Sequence, residues 1–172
     1  MEQRINRELL ISVINSLEGL VTNQFTSIVK EMNFDLFWRF PAVLYGLSEA
    51  FNLNIYPEKI KRMIKQWLPY FEAYIPSMHI NRLYLATVLC QVNAILPNKR
   101  LEKQIQILLF ATDFETVKTE FNPNVQNIRY GWPGVVWLLK KASLIIPETY
   151  PNYEKIESTR TEIIAKYKCN WG

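Results

Sequence analysis

His79 is the one histidine of the chain, and it stands eleven residues before Cys90, one of only two cysteines. Little chemistry can be built from so few groups. A nucleophilic serine or cysteine needs a histidine base oriented by a third residue, and no such motif surrounds His79. A zinc site needs three or four sulfur, nitrogen or carboxylate ligands. His79 and Cys90 supply two, and Cys90 lies in the apolar run "LATVLCQV", where a free thiol belongs to the core. Glycoside hydrolysis needs two carboxyls about 5–9.5 Å apart. The aspartates are Asp35 and Asp113 alone, and most glutamates fall on polar helices or near helix starts. Glu49 sits inside an apolar segment instead, with no evident partner. No glycine-rich phosphate loop occurs.

The remaining composition narrows the class. The chain has 172 residues, enough for one domain with a core of its own, and 49% of them are apolar. No run approaches the roughly 18–20 apolar residues of a membrane-spanning helix. "MEQRINRELL" carries charge where a secretion signal would be apolar. With two cysteines, Cys90 and Cys169, no disulfide framework is implied. A cytoplasmic protein without a membrane partner is expected. The net charge of +4 arises from 20 basic and 16 acidic residues spread along the chain. Even "KIKRMIK" (59–65) distributes its charge over the wet side of a helix, so a solvated face is expected there rather than nucleic-acid contact.

Apolar residues recur at helical spacing almost throughout. Ile5, Leu9, Val13, Ile14, Leu17 and Val21 line one stripe of a helix from about 3 to 22. Further helices are predicted at about 41–53, 57–74, 80–95, 98–111, 133–145 and 151–167, with a shorter one at 114–121. Strand-like alternation is absent, and the fold is expected to be all-α. Pro57, Pro97 and Pro147 each follow an apolar helix and precede a charged one, 40 and 50 residues apart. Proline ends a helix behind it and is tolerated in the first turn ahead. The spacing predicts about three tandem helix pairs over 36–172, after an N-terminal helical segment at 1–32. Pro69 should kink or shorten the helix that begins at 57.

The apolar members repeat in sequence. "PAVLYGLSEA" (41–50) aligns with "PGVVWLLKKA" (133–142), matching Pro41 to Pro133, Val43 to Val135, Leu47 to Leu139 and Ala50 to Ala142. Sliding by 40 places Ala86 on Gly46 and Cys90 on Ala50. Small residues four apart suggest helices in close approach, with Tyr45, Tyr84 and Trp137 filling the remaining volume. "PEKIKRMIKQW" and "NYEKIESTRTEIIAKY" carry charge on one side only. A buried inner helix followed by an amphipathic outer one, repeated, describes a partial α/α toroid or a helical solenoid. In "RYGWPGVVWLLKKAS" (129–143), Pro133 suits a first helical turn, and Gly131 and Gly134 permit tight backbone approach.

That last segment resembles the Cys-Tyr-Gly-x-Pro-Gly stretch of the lanthionine synthetase C-like (LanC-like) proteins. Tyr130, Gly131, Pro133 and Gly134 stand in the matching places, and "FWRFPAVLYGLSEAF" is similar to a more distant copy. The resemblance implies an α/α toroid. Among such proteins the peptide cyclases hold zinc through two cysteines and one histidine, and activate a peptide thiolate for addition to a dehydrated serine or threonine. Here Arg129 stands at the first cysteine, and a guanidinium cannot bind zinc. Cys169 matches the second cysteine, while Asn170 replaces the histidine. One matching ligand does not hold a metal, so no cofactor is expected and Cys169 is the only metal-ligand candidate.

Parallel inner helices would gather their N-termini at one rim. That rim would collect Asp35, Trp38, Arg39, His79, Arg129, Tyr130, Trp132, Cys169 and Trp171. Converging helix N-termini with arginines favour anions or carbonyls, and aromatics with arginines suit an extended peptide. The expected function is a non-catalytic, LanC-like binding or accessory protein for a peptide or protein partner, in connection with modification of a ribosomal peptide. Half a toroid leaves apolar inner surface to be covered, so a homo-oligomer or hetero-complex is expected. The alternatives are a zinc-dependent peptide cyclase completed across such an interface, and a toroid glycosidase.

Overall fold

The structure is a computed structural model describing residues 8, 11–16, 40–71, 74–124 and 131–168. Its elements are helical: α1 (11–16), α2 (Phe40–Asn52), α3 (Pro57–Trp67) with a 3-10 turn at Leu68–Tyr70, α4 (His79–Ile95), α5 (Lys99–Phe110), α6 (Phe114–Val117), α7 (Trp132–Ile145) and α8 (Tyr153–Lys168). The protein is all-α, and the predicted helices fall within a residue or two of those observed in most cases. Of the helix expected over 3–22 only residues 8 and 11–16 are described, all helical, and the rest of it lies outside the described residues; two others are shorter than expected. α3 stops at Trp67 because Pro69 has no N–H for the Lys65 carbonyl. α6 closes after Val117 rather than reaching 121. Among the described residues no helix is long and apolar enough to cross a membrane.

Three hairpins account for the packing: α2 against α3, α4 against α5, and α7 against α8. The first helix of each hairpin forms an inner row, with α4 touching both α2 and α7. Eleven of the 17 residues of α4 are buried. The outer helices bury one stripe each. That of α3 is Ile60, Met63, Ile64 and Trp67, with its lysines turned outward. Buried Ile14 of α1 joins the same core, and Lys59 Nζ donates to Asn15 Oδ1 at 2.8 Å.

Side-chain pairs fix the directions. Tyr45 of α2 acts electrostatically on Tyr84 of α4, and four residues on from Tyr45, Glu49 pairs with Gln91. The pairs rise in the same order, so α2 and α4 run parallel. At the N-terminal end of α4, Ile80 N–H donates to Glu120 Oε2 at 2.7 Å, and two residues later Asn122 pairs in a β-bridge with Gly131, the N-cap of α7. At the other end Tyr150, just past α7, lies near Cys90. The inner helices therefore start from a common side.

Proline and glycine act largely as their positions imply. Pro57 and Pro133 lie in first turns of helices, and Pro97 and Pro147 directly follow the C-caps Leu96 and Ile146. Gly131 is buried in the bridge to Asn122, where two backbones meet. Gly46 departs from expectation. A Cβ built there would meet no atom of the described residues within 4 Å beyond its own helix backbone, so among the described residues nothing closely approaches α2 at that point, although Ala50 and Ala86 are fully buried. Tyr56, before α3, adopts a left-handed conformation (φ 45°, ψ 51°) with no side-chain cap. Because Gly46 is a helix-interior glycine beside open space, Gly46→Ala should raise stability by about 0.5–1 kcal/mol in urea unfolding. A loss of stability would restore the close-packed reading.

Candidate functional site

His79 and Trp132, two residues of the expected rim, are the first residues of α4 and α7 and are both engaged within the chain. His79 Nδ1 accepts from Asp113 N–H at 2.8 Å and faces Arg82 Nη1 at 3.1 Å. Nδ1 is therefore the unprotonated nitrogen of the ring. Arg82 donates to three carbonyls: Pro76 (2.7 Å), Ala111 (2.6 Å) and Ser77 (3.0 Å). One guanidinium thus ties the segment before α4 to the turn after α5. Asp113 caps α6, and the Thr116 hydroxyl and Glu115 N–H hold its carboxyl below the usual carboxylate range. Trp132 stacks on Tyr167 of α8, with centroids 6.2 Å apart and 14° between planes. Phe121 meets the same ring edge-on at 5.6 Å. Asp35, Trp38, Arg39, Arg129, Tyr130, Cys169 and Trp171 lie outside the described residues.

A different group converges on the inner helices. Tyr45 of α2 and Trp137 of α7 occupy matching places in the two aligned segments, and their rings meet edge to face at 6.0 Å, 67° apart. Both are half-buried. Ala42, Tyr45, Gly46 and Glu49, at helical spacing on one side of α2, are all half-buried, while Leu44, Leu47 and Ala50 of the same helix go into the core. Tyr84 of α4 is buried near Tyr45, and that burial pushes its phenol pKa up. One turn beyond Tyr45, Glu49 Oε1 accepts from Gln91 Nε2 at 2.9 Å. The carboxylate fixes the orientation of the amide, since turning it over would set oxygen against oxygen. Gln91 Oε1 is left buried without a hydrogen-bond partner. An unsatisfied buried acceptor costs about 1–3 kcal/mol.

This face joins two half-buried aromatic rings and a carboxylate, which the enclosed Gln91 amide holds in place. Such a set can grip an extended ligand, and it holds no nucleophile–base pair. The partner of Glu49 is an amide and not a second carboxylate. From the sequence alone, Tyr45 and Trp137 are expected only to fill volume between helices. The signal that marks them is their matching position in the repeat. Gln91 could not be found that way, because its pairing with Glu49 spans 42 residues.

The thiol and metal candidates separate. His79 and Cys90 lie eleven residues apart on one helix, about 16 Å along its axis, too far to share a metal. Burial pushes the Cys90 thiol up to about 12. Among the described residues no three histidine, cysteine, aspartate or glutamate side chains come together, and Cys169 lies outside them. No protein-family model, curated protein or solved structure matches this chain.

Two measurements check these roles. Arg82→Ala should lower stability by roughly 2–3 kcal/mol, because several carbonyls lose a charged donor together, and Arg82→Lys should recover only part of it. In a Cys169→Ser background at pH 8, Cys90 should leave Ellman's reagent unreacted until the protein is unfolded. Rapid reaction of the native form would show a thiol far more exposed than the fold describes.

Proposed function

We propose that this protein is a non-catalytic binding protein that takes an extended peptide segment across the face of its inner helices. The observation that carries this is the half-buried Tyr45–Trp137 pair, which joins α2 and α7 at matching places in the repeat. Tyrosine and tryptophan dominate recognition energetics because they offer large, rigid area with little entropy to lose. The alternation of inner and outer helices, with the inner row parallel, supports a partial α/α toroid and with it the LanC-like resemblance. Within that reading the protein serves as an accessory to peptide modification in the cytoplasm, holding the substrate chain or its modifying partner. The expected rim, with its Trp132 and His79, then frames the face and keeps its helices in place.

The test is selection of a random linear-peptide library on the immobilised protein, followed by affinity measurement on Tyr45→Ala and Trp137→Ala. Selected peptides should bind each variant at least tenfold more weakly, since an aromatic anchor contributes about 2 kcal/mol or more. Both variants should keep the far-ultraviolet circular dichroism of the parent. Peptides that bind parent and variants equally would overturn the reading. So would light scattering that shows a dimer dissociated by Trp137→Ala, since the face would then be occupied by a second copy.

A further inference from the structure

Resting on the peptide-binding reading above, we infer that the inner face selects a cationic side chain, an arginine or lysine of the bound peptide, seated at Glu49 beside the Tyr45–Trp137 pair. The hydrogen-bonding capacity at this spot is lopsided. Gln91 Nε2 is committed to Glu49 Oε1 at 2.9 Å, and Gln91 Oε1 is enclosed within the chain, so the group a ligand can meet is the half-buried Glu49 carboxylate. A ligand group that satisfies it must bring a donor, and one that balances it must bring positive charge.

The rings specify the rest. Residues four apart on a helix are neighbours on one face, so the Tyr45 ring lies one turn from Glu49. Trp137 meets that ring at 6.0 Å. A guanidinium or ammonium held by the carboxylate can rest against an aromatic face, where the ring quadrupole attracts it, and its apolar stem can lie along the same surface. The chain already makes such contacts elsewhere, with Lys61 Nζ 5.5 Å from the Phe51 ring centre and Lys166 Nζ 5.3 Å from that of Tyr167. Gly46, next to Tyr45, has no described side chain within 4 Å of where its Cβ would stand. Lys141, one turn past Trp137 on α7, puts positive charge on the other flank. The acceptor therefore belongs to α2, and the cation seats there.

The peptides selected from the random library provide the probe. Nearly all of them should contain arginine or lysine. Replacing that residue by citrulline or norleucine should weaken binding at least tenfold. Glu49→Gln keeps an acceptor for Gln91 while removing the charge, so it should abolish the preference for arginine over citrulline and leave the melting temperature close to that of the parent. Tyr45→Ala should weaken the arginine and citrulline forms alike. Selected peptides without a basic residue, or equal affinity for the arginine and citrulline forms, would overturn the cation inference while the binding face stands. If the library yields no binder at all, both the face and its cation specificity fall.

Discussion

Everything in this fold answers to the burial of α4. A helix with apolar residues around most of its circumference is stable only when other elements cover it on several sides. α2 and α7 flank it, α5 backs it, and α6 closes on it near its N-terminal end. The buried hydroxyls of the inner helices are satisfied locally: Ser48 Oγ donates to the Leu44 carbonyl at 2.9 Å and Thr87 Oγ1 to that of Leu83 at 2.8 Å. Because these hydroxyls turn back on their own helices, they need no partner on a neighbour. The register of the inner row is then set by the shapes of buried leucines, valines and alanines.

The two ends of the inner helices play different parts. At their N-terminal side the crossovers are stitched by charged hydrogen bonds, with Arg82 reaching the carbonyls of 76, 77 and 111 and Glu120 capping α4. Trp132, Phe121 and Tyr167 close the same region with stacked and edge-on rings. Further along, the inner face is less fully satisfied, with the Gln91 carbonyl left unpaired and no atom near the position a Gly46 Cβ would take. The tightly bonded crossovers and the less fully satisfied face are thus separated along the helix axis. A firmly tied rim lets a surface with unmet hydrogen-bonding capacity persist a few turns away.

Local rules carried the reading of the fold a long way. Pro57, Pro97, Pro133 and Pro147 marked the hairpins because a missing N–H acts within one turn, and charge on one side only told outer helices from inner ones. Both effects are written in neighbouring residues. What was not legible depends on residues brought together from afar. Arg82 could be recognised as a tie only once the segments at 76 and 111 were known to meet over it. Glu49 looked solitary because its partner lies on another helix. Gly46 was misjudged for a related reason: a small residue shows that a neighbour could come near, not that one does. Tyr45 and Trp137 were matched by the repeat but read as filling, since alignment gives position and not exposure. Most of the expected rim lies outside the described residues, so its chemistry rests where the sequence left it.

The tip of the first hairpin holds a tension of its own. Tyr56 adopts left-handed backbone angles immediately before Pro57, a conformation that costs a bulky residue about 1–2 kcal/mol. The burial of Ile55 and the ordered start of α3 must outweigh that cost. The link between the first inner helix and its outer companion is therefore wound like a loaded clasp. That strain sits well away from the bonds that secure the other end of the inner helices.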